Sequence, residues 1–278
     1  MTPLAWIAGT VMPLAEARIA LDDPGFLLGD GVFETLRARK GKPFRWDLHA
    51  ERLAAGLAVV GIAAEALAVA EGAVHELATR AAHDCDDDVY LRVQVSRLAA
   101  SRAEVTALVR PLPAFPEHLY RRGARLAIAD WHRDPADPLA GVKSLSYLPQ
   151  VWARRAVQAR GFDDALILNS FGRVCEAAHA NVIARHGRVL YAPGPEEGAL
   201  DGVTRRVLLA ALPEDDYAVE TRLDRIALVE AEELVLISTL AGVVPVSGIA
   251  GVDRLYAGAA GVLAMHLAHA YAVLLDSA

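Results

Sequence analysis

Lysine is almost missing from this chain. Lys40, Lys42 and Lys143 are the only three in 278 residues, although lysine and arginine together number 28. A sequence that uses arginine wherever a surface cation suffices makes each remaining lysine informative, because an amine can give up its proton and a guanidinium cannot. Cysteine is as scarce. Cys85 and Cys175 supply no disulfide framework and lie in no metal-ligand spacing, so the expectation is a reducing cytoplasm and no metal site. Positive charge is short too: a formal net charge of −7, with no run of basic residues, excludes a nucleic-acid footprint. No basic segment followed by an apolar core opens the chain, so no signal peptide is expected. Residues 255–275 are long and apolar, but they are rich in Ala and Gly and carry His266 and His269. Hydropathy this weak predicts a buried or dimer-facing helix and no membrane contact. Repeats and low-complexity tracts are absent.

Hydrophobic residues make up 54% of the chain, ample for a large core, and the length fits about two domains. Pro111, Pro113 and Pro116 mark the break, giving a small N-terminal α/β domain over 1–115, a linker over 116–124 and a larger C-terminal domain over 125–278. In the first domain Gly31 to Ala38 alternates and ends at the Lys40–Pro43 turn, as a hairpin strand does. Asp47 is the expected N-cap of a helix from Leu48 to Val60, with Gly61 just past its end, and a second helix covers Ala63 to Ala81. Val89, Leu91, Val93 and Val95 alternate with Tyr90, Arg92, Gln94 and Ser96, a period-2 strand with one buried face; another strand runs from Val105 to Leu112. Beyond the break, strands are expected at Arg125–Asp130, Ala165–Asn169 and Leu234–Ile237, with a hairpin around His186-Gly187. Helices are expected over Tyr147–Arg160, from Gly202 to Leu212, and at the C-terminus. Strands and helices mixed without regular βαβ alternation predict an α+β, or mixed α/β, class.

Lys40 and Lys42 flank a glycine in a polar turn, where a solvated charge is the plain reading. Lys143 sits in Ala140-Gly141-Val142-Lys143-Ser144-Leu145, among small and apolar residues that would partly desolvate an ammonium. It is either a Schiff-base nucleophile or a lysine that arrived by drift. If it forms an imine, the natural cofactor is pyridoxal phosphate, which also needs a carboxylate against its ring nitrogen, an anion site for its phosphate and packing on its faces. Glu176, between Val174 and a run of small residues, suits the first need, and an ion pair with an arginine is its alternative. Gly202-Val203-Thr204-Arg205 at a helix start suits the second. Ser238-Thr239, just after a strand, offers further hydroxyls. Arg52 is either a bidentate phosphate clamp or an ordinary arginine on a helix face.

Five segments, taken in order, resemble a known family. They are Gly29-Asp30-Gly31-Val32-Phe33-Glu34-Thr35, His49-Ala50-Glu51-Arg52-Leu53, Lys143-Ser144-Leu145-Ser146-Tyr147, Glu176 with Asn181 five residues on, and Gly202-Val203-Thr204-Arg205. The family is the class IV aminotransferases, the fold-type IV pyridoxal phosphate enzymes, which include branched-chain and D-amino-acid aminotransferases, (R)-amine transaminases and aminodeoxychorismate lyase. The match runs from about Ile19 to Val246. The resemblance implies a two-domain fold with a larger, barrel-like mixed β domain, and a homodimer. It makes Lys143 the lysine that binds the cofactor covalently and moves the proton, and Glu176 the partner of the ring nitrogen. Arg52, Val203, Thr204 and Thr239, with Ser238 beside them, match the phosphate positions. Leu200 is similar to the apolar residue beneath the ring, and Asn181 to one that orients the cofactor.

The substrate side follows from the same resemblance. Ser96-Arg97-Leu98-Ala99-Ala100-Ser101-Arg102 is similar to the loop in which D-amino-acid aminotransferases and aminodeoxychorismate lyases bind the substrate carboxylate, which implies that role for Arg102, with Arg97 beside it. Phe33 stands where the D-amino-acid enzymes carry tyrosine, and Glu104 where they carry histidine, which points away from a strict D-amino-acid enzyme. Thr35 fits a threonine near the lyase's substrate. The expected activity is amino transfer between an amino acid or amine and a 2-oxo acid. Aminodeoxychorismate lyase and a catalytically silent cofactor-binding relative are the alternatives.

Overall fold

The computed structural model describes residues 1–99, 102–213 and 216–276, with the backbone alone at positions 99 and 102. Two compact units form. One comprises the described residues among 1–114, 142–147 and 275–278, the other those among 115–141 and 148–274.

The first unit contains, in chain order, β1 (Leu4–Ile7), β2 (Thr10–Pro13), α1 (Pro24–Leu28), β3 (Gly31–Arg39), β4 (Lys42–Pro43), α2 (Trp46–Val60), α3 (Ala66–Ala82), β5 (Val89–Ala99) and β6 (Arg102–Pro111). Its sheet has the order β2-β1-β6-β5-β3-β4, and every pairing is antiparallel. The period-2 alternation in β5 has the expected consequence: Leu91, Val93 and Val95 are fully buried, while Arg92 and Gln94 lie on the other face. In α3 the stripe Ala70, Ala73, Val74, Leu77, Ala78 and Ala81 is buried, and its small residues let the helix come close to the sheet. Asp47 is not the N-cap of α2. Arg45, in the left-handed region at φ 51°, precedes the helix, and Asp47 lies in its first turn. There the Asp47 carboxylate accepts from the Arg45 guanidinium at 3.0 and 2.8 Å.

Segment 142–147 packs with this unit and not with the second half of the chain, where the expected domain division puts Lys143. Backbone pairing explains it. The Phe33 N–H donates to the Lys143 carbonyl at 2.9 Å, the Leu145 N–H to the Gly31 carbonyl at 2.9 Å, and Ser144 bridges Val32. Gly31 makes this approach possible, since a Cβ there would strike the Val95 carbonyl oxygen and the Leu145 side chain.

The second unit contains α4 (Glu117–Arg121), β7 (Ala124–Arg133), α5 (Leu148–Gln158), β8 (Asp164–Asn169), β9 (Val174–Ala177), β10 (Asn181–His186), β11 (Val189–Tyr191), α6 (Val203–Ala210), β12 (Ala218–Glu220), α7 (Arg225–Glu230), β13 (Glu233–Ser238), β14 (Gly242–Ala250) and all but the last two residues of α8 (Val262–Asp276). The expected linker over 116–124 is thus largely α4. Eight strands form a mixed sheet of order β12-β11-β10-β13-β14-β7-β8-β9. The pairs β14/β7, β7/β8 and β11/β12 are parallel. Helix α5 starts at Leu148, because Tyr147 belongs to the segment held on β3. Helix α8 buries Leu263, Leu267 and Tyr271. Among the described residues no helix is long and apolar enough to cross a membrane.

Candidate active site

Two groups of side chains stand out, one in each unit. In the first, the hydrogen bonds from β3 fix the Lys143 backbone beside Phe33. Lys143 is half-buried, with its Nζ 4.6 Å from the centroid of the Phe33 ring and 5.5 Å from that of Tyr147. The two rings meet edge to face at 5.4 Å. Arg92, opposite Thr35 on the neighbouring strand, lays its guanidinium 3.7 Å from the Phe33 centroid and donates from Nε to Gln94 Oε1 at 2.8 Å. Burial lowers the Arg92 pKa, with Tyr90 and Tyr147 opposing the shift. Phe33 therefore carries an amine and a guanidinium on one aromatic side chain. That pairing suits a ligand bearing both an electrophilic carbon and an anion.

On the opposite face of β3, Glu34 points into the core and is fully buried. Arg52 grips it bidentately, Nε to Oε1 at 2.8 Å and Nη2 to Oε2 at 2.7 Å, and His49 Nδ1 lies 2.8 Å from Oε2. Burial alone would raise the Glu34 pKa. The charge and hydrogen bonds of Arg52, helped by His49, outweigh it and hold the carboxyl well below its usual range. Burial lowers the His49 pKa and outweighs the hydrogen bond and charge of Glu34, which raise it, with the Arg52 and Lys143 charges adding to the lowering, so the neutral ring donates to Glu34.

In the second unit Glu176 lies buried in β9. Its Oε1 accepts from Arg133 Nη1 at 2.5 Å, and its Oε2 from the Leu200 N–H at 3.0 Å and Asn181 Nδ2 at 3.3 Å. Arg133 also donates to the Gly198 carbonyl at 2.9 Å. Asn181 Nδ2 donates to the Leu200 carbonyl at 2.8 Å, so the loop before α6 is tied to the carboxylate. Gly202 caps α6, and any Cβ there would strike Asn181 Oδ1. Val203 and Thr204 are buried in the first turn, where helical N–H groups have no partner within the helix. The Thr204 hydroxyl is 3.2 Å from that of Thr239. Ser238 Oγ accepts from the Ala241 N–H at 3.3 Å, and the Thr239 carbonyl from Tyr271 at 2.6 Å. Burial pushes the Cys175 thiol far up, so it stays protonated and is no nucleophile.

Arg97 ties down a corner of the first unit. It donates to Asp30 Oδ2 at 2.8 Å and to the carbonyls of Val60 and Gly61, at the end of α2, at 2.5 and 3.1 Å. The Arg102 side chain lies outside the described residues. Thr35 is half-buried on the face that carries Phe33 and Arg92. The sequence assigns no role to Arg92 or Arg133, and His49 reads there as a packing or capping residue in the first turn of its helix, where the structure has it bonded to Glu34. An arginine on the polar face of a strand reads alike over a site or in water, and Arg133 shows itself only through its contact with Glu176.

The family model for amino-transferase class IV matches residues 31–249. The chain belongs to the class IV aminotransferases. Curated relatives of the family include an aminodeoxychorismate lyase from Vibrio harveyi, 28% identical over 260 residues and covering 90% of this chain and 92% of that one. A D-alanine aminotransferase from Bacillus licheniformis is 29% identical over 260 residues, 87% of each chain. Among solved structures, a hypothetical aminotransferase from Mycobacterium tuberculosis in its PLP-bound form superposes with a TM-score of 0.87 over 99% of both chains. At 22% identity it shows the shared fold.

Class IV aminotransferases work with pyridoxal phosphate, and the residues fit it. The chain has a buried carboxylate held by three donors. It has a helix start whose capping glycine packs directly against Asn181, with buried first-turn residues and two threonine hydroxyls beside it. It also has a half-buried amine against aromatic rings. These are the three requirements of an aldehyde cofactor with a basic ring nitrogen and a phosphate.

Proposed function

We propose that this protein transfers an amino group between an amino acid and a 2-oxo acid, with Lys143 as the catalytic residue. The observation that carries this reading is the seating of Lys143 Nζ against Phe33 and Tyr147 with the Arg92 guanidinium on the same Phe33 ring. Bound pyridoxal phosphate supplies an electrophilic carbon and an electron-accepting ring. Lys143 holds that group through its amine and moves the proton at the substrate α-carbon. Glu176, kept in place by Arg133, Asn181 and the Leu200 N–H, faces the ring nitrogen and favours its protonated form. Val203, Thr204, Ser238 and Thr239 hold the phosphate together with Arg52, and Leu200 supports the ring.

Arg92 takes the substrate carboxylate in this reading, and Phe33 and Thr35 line its surroundings. A guanidinium whose burial disfavours its charge gains from an anion more than a solvated one does. Arg102 stays a second carboxylate partner on the strength of the resemblance, whereas Arg97 braces the strand. The protein acts in the cytoplasm as a homodimer. Support for the dimer comes from Ile19, Leu21, Phe26, Leu27 and Leu28, large apolar residues all exposed within ten positions.

Aminodeoxychorismate lyase is the second reading, favoured by the 28% identity to the Vibrio harveyi lyase over nearly its whole length. Single-turnover absorbance spectra with D-alanine, L-leucine and (R)-1-phenylethylamine separate the two. Transamination converts the lysine-bound cofactor band to that of pyridoxamine phosphate and yields a 2-oxo acid or ketone. Pyruvate released from aminodeoxychorismate, with no band conversion by any amine, would establish the lyase instead.

A further inference from the structure

Glu34 is a carboxylate where an apolar residue would pack. It shares the core face of β3 with Val32, Leu36 and Ala38, all at most 1% exposed, and none of its own surface reaches water. A buried ion pair is weak support for stability, since apolar residues of similar volume often do as well. The arrangement therefore calls for a reason beyond folding. Of its three members, Glu34 and His49 have side chains at 0% exposure, while the Arg52 side chain keeps 10%. The trio runs from the core outward and ends on a guanidinium.

We infer that Glu34 and His49 are positioning residues which fix the plane of Arg52 so that it meets the cofactor's phosphate as a preset fork. The inference rests on the reading that Arg52 holds that phosphate. Glu34 engages the Nε and Nη2 edge of Arg52 with two parallel bonds, which sets the rotation of the guanidinium about its own side chain. His49 holds Glu34 Oε2 in turn, and its position three residues before Arg52 puts both on one side of α2. Among the described residues His49 Nε2 is buried and has no hydrogen-bond partner, and the directed contact of the ring is the one from Nδ1 to Glu34. An oriented clamp loses less side-chain freedom when the anion arrives. A carboxylate beside Arg52 also weakens its pull on an anion, and the preset orientation outweighs that loss.

The test compares dissociation constants for pyridoxal phosphate and for pyridoxal, which lacks the phosphate, read by absorbance of the lysine-bound cofactor. Thermal midpoints confirm folding. Glu34→Gln and His49→Leu are expected to weaken pyridoxal phosphate about tenfold, the loss of roughly one charge-assisted contact, and to leave pyridoxal unchanged. His49→Asn, which keeps an N–H near Nδ1, is expected to restore most of the affinity. If Glu34→Gln does not fold, the His49 pair decides alone. Unchanged or tighter binding of pyridoxal phosphate in these variants, or equal losses for both ligands, would overturn the inference. Arg52→Gln is the control on the underlying reading. If it leaves the preference for the phosphate intact, the assignment of Arg52 fails; if it abolishes that preference while the Glu34 and His49 variants keep it, only the positioning role fails.

Discussion

Lys143 rests against two aromatic rings, those of Phe33 and Tyr147, with the Arg92 guanidinium on the same Phe33 ring. Removing it should leave a folded protein that has lost the absorbance of lysine-bound cofactor. Turnover of Lys143→Ala should fall by at least about 10²- to 10⁴-fold, the usual worth of a positioned acid-base group, measured by 2-oxo acid formation. Lys143→Arg should do no better, since a guanidinium cannot serve as the amine. Arg92→Leu should keep the cofactor spectrum and weaken kcat/KM for carboxylate substrates about 10- to 100-fold. Equal kinetics for Arg92→Leu and the parent would remove Arg92 from the substrate site. Lys143 is conspicuous as a candidate in the sequence because lysine is so scarce around it. Glu34 is not, because a strand position tolerates a buried charge only when a helix elsewhere supplies its partners. Here those are His49 and Arg52, three residues apart on α2.

At the scale of elements, β5 and α3 are plain from their apolar periods, and α6 from the glycine that caps it. The strands β9 and β14 are not, since a continuous buried run such as Gly242–Val246 lacks alternation, and neither is β12, three exposed residues with no buried face to mark them. The start of α5 is misplaced by the sequence because Tyr147 follows the backbone pairing of its own segment to β3. Asp164, at the start of β8, gives an element-level test. Burial pushes its carboxyl up to about 6, against the opposing charge of Arg154. Unfolded, it would titrate near 3.9. Between about pH 4 and 6 the folded state therefore binds more protons than the unfolded one, so this group lowers stability as pH rises through that window. The full effect is at most about 3 kcal/mol. Glu34 runs the other way: its pKa is depressed, so its contribution is present above the carboxylate range and lost as pH falls. Asp164→Asn should be more stable than the parent at pH 7 and equal to it near pH 4, measured by urea unfolding. A difference that does not change with pH would contradict the shift.

For the molecule as a whole, an acidic chain with exposed Leu27 and Leu28 on α1 is expected to sediment at twice its 29.7 kDa mass. The double variant Leu27→Glu, Leu28→Glu should shift it toward a single chain, and an unchanged sedimentation coefficient would place the dimer contact elsewhere. The central claim is that one amine, Lys143, carries the cofactor, and a chain with three lysines makes it simple to check. Borohydride reduction of the protein loaded with pyridoxal phosphate, followed by peptide mapping, should place the pyridoxyl group on the peptide containing Lys143. A label on Lys40 or Lys42, or none at all, would contradict the account.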